Sequence, residues 1–232
     1  MKMKKTILSL LSAMFILPAI AQFEGTLTLT LESPKLKVPM EINITLKGTL
    51  TCMEIPSMTE AGFVKSIVYN DDQTMIMCMD RGGRKVGMKS NLKDSERFMP
   101  ESENAKPPTF TETKETKEIG GYQCTKIIME TDESAGDLWV TKEIKIDMKG
   151  LLAAMGANKS PGSVLLRNFK KNFGERPGVS MLSLITNKKN NEQYSIALSA
   201  IKAGKVDEKV FNVDDFQLMA APSMGGGQIQ KQ

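Results

Sequence analysis

Alternation of leucine with threonine through Gly25-Thr-Leu-Thr-Leu-Thr-Leu31 constrains the fold of this chain more than any other stretch. Successive side chains of a strand point to opposite faces, so a period of two gives one oily face and one wet face. Met40-Glu-Ile-Asn-Ile-Thr-Leu46 repeats the pattern after a turn around Ser33-Pro34. Further strands are predicted over 49–55, 63–69, 74–79 and 85–89, with turns at Asn70-Asp-Asp72 and Arg81-Gly-Gly83. The segment 111–118 alternates threonine with charge, as a solvated strand face or loop does, and Ile119-Gly-Gly121 leads into a strand over 122–130. Strands over 137–141 and 143–149 follow, and a last hairpin, 179–186 and 194–201, turns through Asn187-Lys-Lys-Asn-Asn191.

Helix is expected only between Gly150 and Gly174. A short turn fits 151–155, and over 163–173 the residues Leu165, Leu166, Phe169 and Phe173 share one stripe. Pro161 precedes that stripe and Gly174 follows it, the usual punctuation of a helix. The polar run 93–108 ends in Pro107-Pro108 and reads as a long loop. Without βαβ alternation, the fold class is mainly antiparallel β (α+β), a continuous sheet with a short helical insert packed across its apolar face.

The N-terminus sets the compartment. Met1-Lys-Met-Lys-Lys5 is cationic, 6–16 is an apolar run, Pro18 bends it, and Ala19-Ile20-Ala21 places small residues where a signal peptidase reads. The expected organisation is a signal peptide over 1–21, one β-rich domain over 22–222 and a disordered tail over 223–232. The run is too short to span a bilayer and no second one follows, so no membrane span is expected. The protein is expected to be periplasmic or secreted.

Of 31 basic side chains the leader holds three, which leaves 28 against 27 acidic ones in the mature chain. That balance gives no concentrated positive field, so no nucleic-acid partner is expected. Histidine is absent, which excludes Ser-His-Asp and Cys-His catalysis and imidazole-ligated zinc. No phosphate-binding loop and no nucleophile motif in a suggestive context is present either. The chain therefore reads as a non-enzyme, with no cofactor implied. Cys52, Cys78 and Cys124 allow three disulfide pairings, Cys52–Cys78 among them, or serve as three small buried apolar residues.

Two features point to a binding function. Met75-Ile-Met-Cys-Met79 puts Met75, Met77 and Met79 on one face of a strand and Ile76 and Cys78 on the other. Those thioethers suit core packing, a deformable apolar cavity or, as a soft sulfur set, Cu(I). The stripe Leu165, Leu166, Phe169 and Phe173 suits either the missing half of a core or a lid over an apolar groove. Burial of an acyl chain is worth about 0.8 kcal/mol per methylene, so such a groove needs no polar machinery. Trp139, the only tryptophan, reads as a packing or rim residue with ligand contact as the alternative. The candidate ligand-binding residues are thus Met75, Met77, Met79, Trp139, Leu165, Leu166, Phe169 and Phe173, with no metal site assigned and a lipid, a lipoprotein or an envelope protein as partner.

Gly121-Tyr-Gln-Cys-Thr-Lys126, followed by Asp137-Leu-Trp-Val-Thr141, resembles the exported bacterial family called domain of unknown function 4412. Phe23-Glu-Gly-Thr-Leu27 and Val210-Phe-Asn-Val-Asp-Asp-Phe216 resemble that family's two ends, although Asp214 and Asp215 stand where the family often has proline and its neighbour. Tyr122, Cys124 and Trp139 fall on the motif. The resemblance carries over no catalytic residues. It implies a fold similar to the periplasmic lipoprotein carriers, an incomplete, curved β-barrel around helices with an apolar concave face. The leading function is therefore an apolar half-barrel that binds a lipid, an acyl chain or a lipidated partner. A filled structural or interaction module of the envelope is the alternative, and a methionine-based Cu(I) binder is a third. Intact mass of the exported protein is expected to match cleavage after Ala21; retention of residues 1–21 on exported protein would contradict the leader assignment.

Overall fold

The computed structural model describes residues 23–92, 108–144, 146 and 178–220. Twelve strands make one open, curved sheet. In chain order they are β1 Gly25–Glu32, β2 Met40–Lys47, β3 Leu50–Glu54, β4 Phe63–Tyr69, β5 Thr74–Arg81 and β6 Arg84–Asn91. Then follow β7 Thr109–Ile119, β8 Tyr122–Glu130, β9 Ser134–Thr141, β10 Val179–Asn187, β11 Gln193–Ala203 and β12 Gln217–Ala220. Across the sheet the order is β12-β6-β5-β4-β3-β2-β1-β11-β10-β9-β8-β7. Two meanders, β1 to β6 and β7 to β11, thus meet at a single seam where β1 pairs with β11.

Every neighbouring pair is antiparallel except β12 with β6. The predicted strands 63–69 and 122–130 are observed with those bounds, and the others shift by a few residues. One prediction is not met in the part that is described, the rest of it lying outside the described residues. Glu143, Ile144 and Ile146, part of the expected strand over 143–149, lie outside any strand. The amide of Glu143 donates to Thr141 Oγ1, and its carboxylate accepts from the amide of Gln123. That local turn ends β9 and turns Ile144, 5% exposed, into the core. The described residues carry almost no helix, two short 3-10 turns at Pro56–Met58 and Glu208–Phe211 among them. The predicted helical insert over 163–173, the leader and the tail over 223–232 lie outside the described residues.

Bulges supply the curvature. Register shifts fall at Thr28/Leu29, Ser180/Leu182, Phe63/Lys65 and Glu112/Thr116, and each extra residue adds local twist. At the seam the extra residue is Ser199, whose hydroxyl donates to the Thr28 carbonyl and accepts from Thr30 Oγ1. The hydroxyl thus replaces part of the ladder that the bulge interrupts. One apolar cluster runs from Phe63 and Val68 on one arm through Leu27, Ile44 and Leu198 at the seam to Cys124 and Met181 on the other.

The register defines two faces on the β1–β6 arm. Leu27, Ile44, Met53, Met77 and Met88 share one, here the methionine face. Cys52, Lys65, Ile67, Ile76 and Cys78 share the other. After β11 the chain crosses this second face as a strap over 204–216 before joining the sheet edge as β12. Glu24 starts it, accepting from the amides of Gly204 and Val206. Val206 and Phe211, each 7% exposed, then pack on Cys52 and Ile67.

Three side chains of β3 and β4 capture successive carbonyls of the strap. Lys65 Nζ donates to the Val210 carbonyl at 2.6 Å and to the Asn212 carbonyl at 2.8 Å. Tyr69 reaches the Phe211 carbonyl at 3.5 Å, and Cys52 Sγ approaches the Val210 carbonyl at 3.8 Å. Lys65 is only 8% exposed, so its ammonium exchanges water for these carbonyls, a burial tolerable only because they are there.

All three cysteines are buried and unbonded. The Cys52–Cys78 pairing open to the sequence is barred by topology: β4 lies between their strands, a separation of roughly 9–10 Å by strand spacing, beyond disulfide reach. Burial pushes the Cys52 thiol up to about 12 and raises those of Cys78 and Cys124 as well. A thiol that stays protonated is a poor nucleophile.

Native protein is expected to leave all three thiols unreactive toward a disulfide reagent, with full reaction on denaturation; fast reaction of folded protein would contradict this. Because the Cys52 thiol holds its proton more tightly folded than unfolded, stability should fall as pH rises from about 9 to about 12. Lys65→Met should cost about 2–4 kcal/mol in urea unfolding by orphaning two carbonyls, with amide exchange rising in 204–220 before it rises in β8 to β10.

Candidate functional site

On β5, Met75, Met77 and Met79 point to the methionine face and are half-buried, whereas Ile76 and Cys78 are 5% and 0% exposed on the strap face. The predicted division of this strand holds, and the packing falls opposite to where apolar content alone would put it. Ile76 and Cys78 are closed on the face that the strap crosses, while the methionines keep accessible surface. Met75 and Met77 border the main apolar cluster, as do Leu29 and Met40 on β1 and β2. Beyond them the face is closed, with Leu27 at 1%, Ile44 at 0% and Val68 at 0% exposure. Half-buried apolar surface on this face therefore lies at the β5–β6 end of the arm, with Met75, Met77, Met79 and Met88, and again near the seam, with Leu29, Leu31 and Met40.

The register adds residues that the sequence reading did not single out. Met77 lies directly opposite Met88 on β6, and Met88 lies beside Met219 on β12. Met53 stands at the same level two strands to the other side, with Ser66 between. Period-two reading of β5 finds its own three methionines; it holds no information on which residue of another strand stands opposite. The nearest signal was Met88 within a predicted strand.

Trp139 is not part of this set. It sits on β9, seven positions from β5 in the sheet order, half-buried at the far border of the same cluster. Lys117 Nζ stands 4.0 Å from its ring centroid, a cation–π contact that accounts for the ring without a ligand. Leu165, Leu166, Phe169 and Phe173 lie outside the described residues, so only Met75, Met77 and Met79 of the predicted site residues are seen together.

A cavity of about 670 Å³ opens elsewhere, where β9, β10, β11 and β1 run side by side. Its lining includes Glu32, Asp137, Leu184, Tyr194 and Ser195, and none of the predicted site residues. Ser195 donates to Glu32 at 3.3 Å, and Lys126 pairs with Asp137 at 3.0 Å. Hydrogen bonding to Asp137 raises the Lys126 ammonium above its ordinary value, so this pair is an ion pair at the cavity wall. Among the described residues no three His, Cys, Asp or Glu side chains converge to hold a metal. No described helix is long and apolar enough to cross a membrane.

No curated protein matches the chain. Among solved structures it is similar to PNGF-II, with 12% identity, 86% of this chain and 31% of that chain covered, and a TM-score of 0.46. It thus spans about a third of the length of that protein. An uncharacterized conserved protein from Thermus thermophilus is 8% identical, with 85% and 91% covered and a TM-score of 0.48. The Mycobacterium tuberculosis lipoprotein LppX is 9% identical, with 79% and 90% covered and a TM-score of 0.35. The family model described as domain of unknown function (DUF4412) matches residues 23–215. Matched from the start of β1 to the end of the strap, the chain belongs to the DUF4412 family.

Proposed function

We propose that this chain is an exported, non-enzymatic protein of the cell envelope that holds an acyl chain, or the acyl chain of a lipidated partner, on its methionine face. The observation that carries the reading is the asymmetry of β5. Its strap side is sealed, while Met75, Met77 and Met79 stay half-buried without a described layer over them. Apolar surface left accessible on a curved sheet favours an apolar occupant, since both surfaces leave water together. Methionine fits this task better than branched residues, because its unbranched thioether follows occupants of varied shape. Covering about eight methylenes contributes about 6 kcal/mol before the cost of association, enough for exchangeable binding and too little for permanent capture. A carrier or transient holder has that property.

A second reading rests on a different observation. Ile128 and Leu184 are 39% and 46% exposed on the arm that the strap does not cross, level with each other through Asp137. Such a patch suits contact with another envelope protein, and the chain would then be an interaction module whose methionine face is ordinary packing.

Mass spectrometry of protein purified from its own envelope, with displacement of a fluorescent fatty acid, separates the two. A co-purifying lipid and at least tenfold weaker displacement in Met77→Lys are expected, with Leu184→Lys unchanged. Absence of lipid together with no fatty-acid binding by delipidated protein would contradict acyl binding and favour the interaction module.

A further inference from the structure

Three methionines come from three adjacent strands at one level of the sheet: Met77 on β5, Met88 on β6 and Met219 on β12. Neighbouring strands lie about 4.8 Å apart, and each methionine places its sulfur beyond two rotatable bonds. The outer two can lean over the middle one and bring three thioethers around a single point. Met77 and Met88 are half-buried and Met219 is 41% exposed, so none is locked in a closed core.

The direction of Met219 is fixed by its neighbour. Leu218 packs over Gly87 on the strap face, so closely that a Cβ on that glycine would lie 2.5 Å from Leu218 Cδ2. Alternation along β12 then turns Met219 to the opposite face, where Met77 and Met88 stand. The same β12 is delivered there by the strap that Lys65 anchors. A parallel strand of four residues is a poor source of stability by itself, and here it contributes a third sulfur to a pair.

We propose that Met77, Met88 and Met219 form a three-thioether site for a soft monovalent cation, Cu(I) or its redox-inert analogue Ag(I). Thioether sulfur is neutral and polarizable and selects d10 soft cations over Mg²⁺, Ca²⁺ and Zn²⁺. It carries no proton to displace, so affinity should stay constant across the range in which a histidine site would weaken. Met75 and Met79, flanking Met77 on the same face, supply alternative sulfurs for entry. The proposal rests on register and not on acyl binding, although the two would share Met77 and its face. Leucine in place of methionine keeps the apolar volume and removes the donor.

The test is titration of full-length protein, labelled with 13C at its methionine methyls, with Ag(I) under varied pH. Expected is a joint shift of the Met77, Met88 and Met219 methyl signals, complete at one equivalent. Met88→Leu and Met219→Leu should bind Ag(I) at least tenfold more weakly, and Met40→Leu should bind it as wild type does. Circular dichroism checks that the variants fold. Ag(I) that shifts no methionine signal, that goes to the buried thiols instead, or that binds Met88→Leu as tightly as wild type would overturn the site.

Discussion

The antiparallel ladder between β1 and β11 joins backbone from opposite ends of the chain, with Ser199 bonded to Thr28 across 171 positions. Closing so long a loop costs conformational entropy that only a cooperative set of contacts can return. The return is the shared core, since Leu27 on β1 and Leu198 on β11 belong to the same cluster as Phe63 on one arm and Met181 on the other. Without that ladder each meander would keep its local hairpins and expose one long edge to water. The bulge at Ser199 places extra twist at the seam, where it changes the relation of the two arms.

The second consequence of the seam is the strap. Because β11 ends beside β1, the chain must cross one face of the β1–β6 arm to reach the free edge of β6. Burial of Val206 and Phe211 supplies the apolar part of that crossing, and Lys65, Tyr69 and Cys52 supply polar partners for its carbonyls. One face of the arm is thereby filled by the protein's own chain. The other keeps accessible methionine, and the difference between the two faces follows from where the chain had to run. The two edges of the sheet contrast in chemistry as well. β7 is charged and irregular, with Glu112, Lys114 and Glu115 around a bulge, as edges that avoid pairing are. β12 carries no charge at all between Gln217 and Ala220.

Most strands were legible from alternation alone, because Leu27, Leu29 and Leu31 or Met75, Met77 and Met79 repeat at the period the pleat imposes. The faces of β5 were legible for the same reason. Their burial was not, since it depends on the strap, which pairs by tertiary contact and carries no repeat. β12 escaped notice because four exposed residues hold no hydrophobic pattern, and parallel pairing to β6 leaves no hairpin turn to read. Lys65 looks like one more solvated lysine in sequence; only the carbonyls of Val210 and Asn212 make it an interior residue. At Glu143 and Ile144 the expected strand gives way to a turn, because the Glu143 amide bonds to Thr141 Oγ1, which an alternation of Ile144 and Ile146 with charge does not reveal.

Native-state hydrogen exchange, followed residue by residue in low denaturant, addresses the seam directly. If β1 and β11 bind the arms into one cooperative unit, the slowest amides of β2 to β4 and of β8 to β10 should open with a single free energy, equal to that of global unfolding. Amides of β12 and the strap should open earlier, as a separate unit. Two distinct free energies for the two arms, with the amides of β1 and β11 exchanging first, would show that the meanders fold independently and that the seam does not hold the sheet together.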